Sequence, residues 1–437
     1  MATHATDHVS LVFIGHVDAG KSTTAGHLLY LMGQVDQRTV ERCEEEARAQ
    51  AGAGYAKAYI MDTNQEERTR GKTQEVALAH FTTPTRRFTV LDAPGHRNYV
   101  PNMIEGVARA DVAVLVVSAR AGEFEAGFER DGQTREHAML ARTLGVSRLI
   151  VAVNKMDDRT VNWSGDRYAE IVAKLRPFLG KTAGFGAPVF LPMSGASGAN
   201  LRDPLEEETA PWYKGPSLVQ ALATIRVPRR DPDGPLRMAV TMRIKEAGKV
   251  MLGGKVELGT IRVGQDVTVG GGHSTGTVQA IESDFAPNLN EARAGDIVRI
   301  IVPCDARSGD ILSCADRPLV PVDRFEAHIS VLELPDHKPV LSAGYTAVLH
   351  VHGATTECSI ECITGTLDRR TGQISTDQPK PKFARTGDSL GVRIKTAGNP
   401  VYLTTFDELP RLGRFTLRDQ GKTVAVGKVI RLPGARP

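Results

Sequence analysis

Gly15-His-Val-Asp-Ala-Gly-Lys-Ser22 fits the pattern G-x-x-x-x-G-K-S, in which a glycine-rich turn between a strand and a helix wraps backbone N–H groups around a polyphosphate. The context is right on both sides: residues 9–14 form a short apolar run, and residues 22–31 carry helical spacing. The helix N-terminus adds partial positive charge where the phosphates would lie. In this pattern Lys21 reaches the β- and γ-phosphates as a point charge and the Ser22 hydroxyl is a ligand of Mg²⁺. Gly15, His16, Val17, Asp18, Ala19, Gly20, Lys21, Ser22 and Thr23 are therefore the candidate phosphate-binding residues.

Working outward, apolar runs recur at 88–91, 112–117 and 149–153, with a weaker one at 188–193, and helical segments such as 133–144 lie between them. Continuous apolar strands alternating with helices predict a doubly wound, mostly parallel α/β sheet covered on both faces. Sites on such sheets sit at the C-terminal ends of the strands. Two more motifs occupy those ends. Asp92-Ala-Pro-Gly-His96 follows the second run. There Asp92 suits a metal role through water, the Gly95 N–H suits the γ-phosphate, and His96 is the candidate for positioning an attacking water. Asn154-Lys-Met-Asp157 follows the fourth run. An aspartate at position 157 can accept from the N1–H and exocyclic amine of guanine, which adenine does not offer, while Asn154 and the Lys155 stem hold and cover the ring. Ser194-Gly195-Ala196, after the fifth run, supplies a backbone N–H for the guanine carbonyl.

The second half reads differently. From Leu236 onward the segments are short, alternate apolar and polar, and are punctuated by glycine, as at Gly253-Gly254 and Gly270-Gly271-Gly272. That is the pattern of antiparallel barrels or sandwiches. A break at Ala315-Asp-Arg-Pro-Leu-Val-Pro321 divides it in two, so the predicted domains are 8–215, 216–318 and 319–437. Residues 1–215 hold 25 lysines and arginines against 27 acids, leaving 29 against 24 for the rest. The C-terminal half thus carries the excess positive charge, suited to RNA or an acidic partner. The overall net charge of +3 argues against a nucleic-acid binder working by bulk charge. Five cysteines in 437 residues are too few for a disulfide framework and point to a reducing compartment. No apolar stretch approaches the roughly 20 residues that span a bilayer, and the first residues lack the basic and apolar regions of a secretion signal.

These motifs, in this order, make the sequence resemble the translational GTPases, the family of elongation factors 1-alpha and Tu. Within it, several longer stretches are similar to one branch, the GTP-binding subunits of eukaryotic peptide chain release factors. They are Asp62-Thr-Asn-Gln-Glu-Glu-Arg68, Arg70-Gly-Lys-Thr73, Gly122-Glu-Phe-Glu-Ala-Gly-Phe128 with Gln133-Thr-Arg-Glu-His137, and Gly413-Arg-Phe-Thr-Leu-Arg-Asp-Gln-Gly-Lys422. The resemblance implies an α/β P-loop GTPase domain followed by two antiparallel β-barrel domains. It implies GTP or GDP and Mg²⁺ as ligands, with Ser22, Thr73 and Asp92 around the metal. Residues 36–73 would contain the first switch and Asp92–His96 would open the second, His96 acting in hydrolysis. Where related elongation factors screen that histidine with an isoleucine, this chain has Lys72 beside Val17. The implied partners are the ribosome and a stop-codon-recognising release factor protein held by the barrels. Direct sequence-specific nucleic-acid contact and membrane attachment are not implied. The expected setting is cytoplasmic, as a monomer or half of a heterodimer. Such subunits carry a long, low-complexity N-terminal extension, and functions tied to it are not expected of this sequence. An elongation factor 1-alpha-like or ribosome-rescue GTPase and a non-hydrolysing adaptor are the alternatives. His350, His352, Cys358 and Cys362 share strand parity around a short turn, conceivable zinc geometry but more commonly ordinary barrel residues.

Overall fold

The computed structural model describes residues 7–50, 57–61, 76–95, 99–129, 132–227, 230–246, 249–368, 373–375 and 379–433. They form two compact units, Met1–Pro228 and Arg229–Pro437. The first unit contains β1 (Asp7–Ile14), α1 (Lys21–Leu31), α2 (Gln37–Gln50), β2 (Ala77–Thr82), β3 (Arg86–Asp92), α3 (Val100–Arg109), β4 (Val112–Ser118), α4 (Glu123–Phe128), α5 (Gln133–Thr143), β5 (Arg148–Asn154), α6 (Gly165–Pro177), β6 (Val189–Pro192) and α7 (Leu218–Thr224).

The strands lie in the order β2-β3-β1-β4-β5-β6. All neighbours are parallel except β2, which runs antiparallel along the outer edge of β3. Alternation sorts the side chains of one strand to two cores. In β1, Val12 and Ile14 join the core under α3, α5 and α6, whereas Leu11 and Phe13 join the one under α1 and α7. Every residue of β4 is buried, as expected of a parallel strand covered on both faces. The edge strand β2 is the element that the apolar runs do not announce. Its sequence, Ala-Leu-Ala-His-Phe-Thr, buries only Phe81 and leaves Leu78 half exposed, so neither a continuous run nor a clean alternation marks it.

The last helix of this unit is held at both ends. Ser217 caps its start, accepting from the Gln220 N–H, and the Gln220 side chain returns a bond to the Ser217 N–H. At its far end the Arg86 guanidinium donates to the carbonyls of Leu222 at 3.0 Å and Ile225 at 2.6 Å. Carbonyls at a helix end lack the full set of intrahelical partners, and that of Leu222 otherwise accepts only a long bond, 3.4 Å, from the Ile225 N–H.

In the second unit, the first sheet has eight strands, from Ser274–Thr277 at one edge through Arg237–Glu246 and Lys249–Leu258 at its centre to Ala286–Leu289 at the other. Its two edges are not hydrogen-bonded to each other, so the first predicted barrel is a half-barrel, supplemented by the pair Thr260–Arg262 and Glu291–Arg293. The following domain is a closed barrel of six strands, Arg324–Val331, Ser389–Thr396, Ala354–Thr366, Thr346–Val351, Arg414–Asp419 and Lys422–Arg431 in bonding order. In it His350 lies opposite Thr355 and Cys358 opposite Ala347. His352 bonds to the Tyr402 carbonyl, and no metal-binding cluster of His, Cys, Asp or Glu occurs among the described residues.

Replacing Arg86 by methionine keeps its packing but removes two charge-assisted bonds to the end of α7. The expected cost is about 2 kcal/mol, read as a lower denaturant midpoint with an unchanged slope.

Candidate nucleotide site

The loops at the C-terminal ends of β1, β3, β5 and β6 bring together Gly20, Lys21, Gly95, Asn154 and Gly195 among the predicted residues. Residues 15–20 leave β1 and turn into α1, whose first residue is Lys21. Gly20 caps that helix at φ 94°, a left-handed conformation, and a Cβ there would lie 2.3 Å from the Asn154 amide nitrogen. Only glycine fits. Lys21 is buried and its ammonium donates to the His16 carbonyl at 2.8 Å, which folds the side chain back across the mouth of the loop. Desolvation pulls its pKa down to about 8, against the opposing pull of Asp92 and Asp18. A bound polyphosphate would supply charge that offsets the solvation lost on burial.

Asp92 closes β3, fully buried, and Gly95 follows three residues later. A Cβ on Gly95 would sit 2.3 Å from the Lys21 ammonium nitrogen, so the backbone of this turn lies directly beside that ammonium. The Ser22 hydroxyl and the Asp92 carboxylate are hard oxygen donors, the class that Mg²⁺ takes together with phosphate oxygens. Their placement at the loop and at the end of the neighbouring strand fits that ion. Thr73, Lys72 and His96 lie outside the described residues, as do the stretches 62–68 and 70–73.

On the base side, Asp157 is exposed, its carboxylate open to a ligand. Asn154 bridges two loops. Its amide donates to the Ala19 carbonyl at 2.8 Å and accepts from the Gly195 N–H at 2.7 Å, tying the phosphate loop to the loop after β6. Lys155, at φ 63°, sends its ammonium to Glu123 at 2.7 Å. Of the three amides at 194–196, that of Ser194 bonds to the Ala199 carbonyl and that of Gly195 to Asn154. The exposed Ala196 is left as the one whose N–H is available to a guanine carbonyl. The His27 ring, on α1, bonds to the Gly195 carbonyl at 2.8 Å and fixes the same loop from below.

Two residues on α5 complete the site without having been assigned a role from sequence. His137 accepts from the Gly15 N–H at 3.2 Å and Gln133 from the Val17 N–H at 3.4 Å, so α5 buttresses the outer side of the phosphate loop. The clue was present in Gln133-Thr-Arg-Glu-His137, whose ends sit one helical turn apart on one face. Both tryptophans of the chain stand behind the base-reading motif. The Trp163 N–H bonds to the Met156 carbonyl at 2.8 Å, and the Trp212 indole to the Trp163 carbonyl at 2.9 Å, its ring 5.0 Å from Tyr168.

Residues 6–228 match the family described as "Elongation factor Tu GTP binding domain". The chain belongs to that family. Residues 324–430 match the family "GTP-eEF1A C-terminal domain-like". The chain is 44% identical to the "Eukaryotic peptide chain release factor GTP-binding subunit" of Ogataea pini, over 98% of this chain and 57% of that protein. It is 42% identical to the protein of the same description from Schizosaccharomyces pombe, over 98% of this chain and 64% of that protein. It therefore spans about three fifths of the length of these curated relatives. The S. cerevisiae Ski7 GTPase-like domain, solved bound to GTP, has the same fold: TM-score 0.79 with 97% of each chain covered, at 18% identity.

The buried lysine predicts a pH dependence. Its folded pKa of about 8 lies below the ordinary lysine value, so between the two the unfolded chain binds more protons and stability rises with pH. Nucleotide-free protein should gain unfolding temperature from pH 8 toward about 10 relative to Lys21→Met. Parallel pH profiles for the two proteins would refute the assignment.

Proposed function

We propose that this chain is a GTPase of translation termination. It binds GTP with Mg²⁺ and a stop-codon-recognising release factor protein, and hydrolyses GTP on the ribosome, in the cytoplasm, to promote peptide release. The observation that carries this reading is identity of 42–44% through 98% of the chain with release factor GTP-binding subunits, in a chain whose phosphate and base loops are joined in one site. Residues 8–215 would be the catalytic domain, with 216–318 and 319–437 presenting a surface to the protein partner.

The chemistry proposed for the site is positioning and charge neutralisation. Lys21 and the backbone N–H groups of residues 15–23 other than those of Gly15 and Val17, which α5 holds, take the phosphates, and the Gly95 N–H takes the terminal one. Ser22, Asp92 and Thr73 would hold Mg²⁺, which when bound offsets the negative charge of the phosphates. Asp157 reads the guanine N1–H and amine, Ala196 its carbonyl, and His96 orients the water for attack. Release of the terminal phosphate frees the switch segments and with them the partner.

Three outcomes test this. His96→Ala should abolish ribosome- and partner-stimulated phosphate release while GTP binding survives; unchanged stimulated turnover would sink the role. Asp157→Asn should move preference from guanine to xanthine nucleotides, because the amide now donates to the extra carbonyl of xanthine. In pull-downs, the chain should retain a stop-codon-recognising release factor and not aminoacyl-tRNA. Retention of aminoacyl-tRNA would mark an elongation factor instead.

A further inference from the structure

The segment 118–128, which precedes the buttressing helix α5, has no role in the reaction as described so far. It is nevertheless wired to the base-reading motif on both sides of Asp157. Upstream of that aspartate, the Lys155 ammonium donates to Glu123 at 2.7 Å. Downstream, Asp158 accepts from Arg120 at 2.6 Å. The two lines meet, because Arg120 also pairs with Glu123 at 3.2 Å, and the Ser118 hydroxyl donates to Glu123 at 2.7 Å. Charges alternate along the chain Lys155, Glu123, Arg120, Asp158.

Each carboxylate in this chain is held ionised. At Glu123 burial raises the pKa, but the donors Lys155, Ser118 and Arg120 overcome it and the net shift is downward. Bonds from Thr160 and then Arg120 take Asp158 down to about 2. The other end of the same segment lies against the phosphate loop. A Cβ on Gly127 would come within 3.2 Å of the His16 Cβ, and a cavity of ≈ 250 Å³ between the two segments is lined by Val17, Ala19, Glu123 and Phe124 among others.

We infer that Glu123 and Arg120 are positioning residues for guanine recognition: by fixing the neighbours of Asp157 on both sides, segment 118–128 sets the geometry with which that carboxylate meets the base, and so governs how long nucleotide is retained. The inference rests on Asp157 reading guanine. The effect of Glu123 and Arg120 passes through Lys155 and Asp158, and it should appear on the base rather than on the phosphates.

The test measures dissociation of GDP and of IDP, which lacks the exocyclic amine, from the full chain with Mg²⁺. Glu123→Gln and Arg120→Lys are the gentle variants, and Arg120→Asp with and without Asp158→Arg is the charge reversal. GDP release from Glu123→Gln should be about fivefold faster or more, the lower range of coupling between linked sites. IDP release should change less, so the two rates converge. The reversed pair should recover slower GDP release than Arg120→Asp alone. Equal acceleration of GDP and IDP, or no acceleration in any variant, would overturn the inference while leaving the guanine reading intact. Failure of the unaltered protein to discriminate GDP from IDP would overturn the guanine reading, and the inference with it.

Discussion

One carboxamide joins the two halves of the nucleotide site. The Asn154 side chain needs a donor for the Ala19 carbonyl and an acceptor for the Gly195 N–H, and among side chains of that length only asparagine offers both from one planar group. An aspartate would meet the carbonyl with a like partial charge; a leucine of similar size would leave two buried backbone groups unpaired, each a substantial penalty. The bridge also explains Gly20, because the amide occupies the space where a Cβ would stand. Phosphate loop, guanine loop and strand end thus share one hinge point. The other contacts around it, Lys21 on the His16 carbonyl and His27 on the Gly195 carbonyl, are local refinements of the same frame.

Much of this frame was legible in the sequence because it depends on features that single residues advertise. A glycine-rich turn before Lys21-Ser22 announces itself, and the apolar runs that became β1, β3, β4, β5 and β6 are continuous because both sheet faces are covered. The order Asp92, Asn154, Ser194 along the chain is the order of strand ends that a doubly wound sheet presents. The parts that stayed hidden share a different physics. β2 pairs through its backbone at an edge, where side chains need not be apolar. The main-chain partners of Asn154 lie 135 and 41 residues away, which no local pattern encodes. The spacing of Gln133 and His137 marks a shared helix face, but not what it holds, because the atoms held are backbone N–H groups far away in sequence. The half-barrel could be read as antiparallel from its glycine-punctuated segments, but whether its edges meet depends on register and twist.

Burial of Lys21 shows how the fold stores readiness for an anion. Its ammonium is desolvated, held by a single carbonyl and drawn toward Asp92, a state that costs free energy as long as no phosphate is near. The glycine at position 95 lets the next strand's turn approach that ammonium without a side chain between them. Affinity for nucleotide then includes relief of a cost already present in the free protein, in addition to new contacts. Such preorganisation suits a site that must respond to one phosphate group.

The placement of the two tryptophans has an optical consequence. Since Trp163 and Trp212 are the whole indole content of the chain, with the Trp163 backbone bonded to Met156 and the Trp212 indole bonded to the Trp163 carbonyl, its tryptophan fluorescence originates in the nucleotide-binding unit, near the Asn154–Asp157 motif. The protein carries its own dye at the base end of the site. A change in that emission is a signal from the first unit rather than from the barrels, which contain no indole at all.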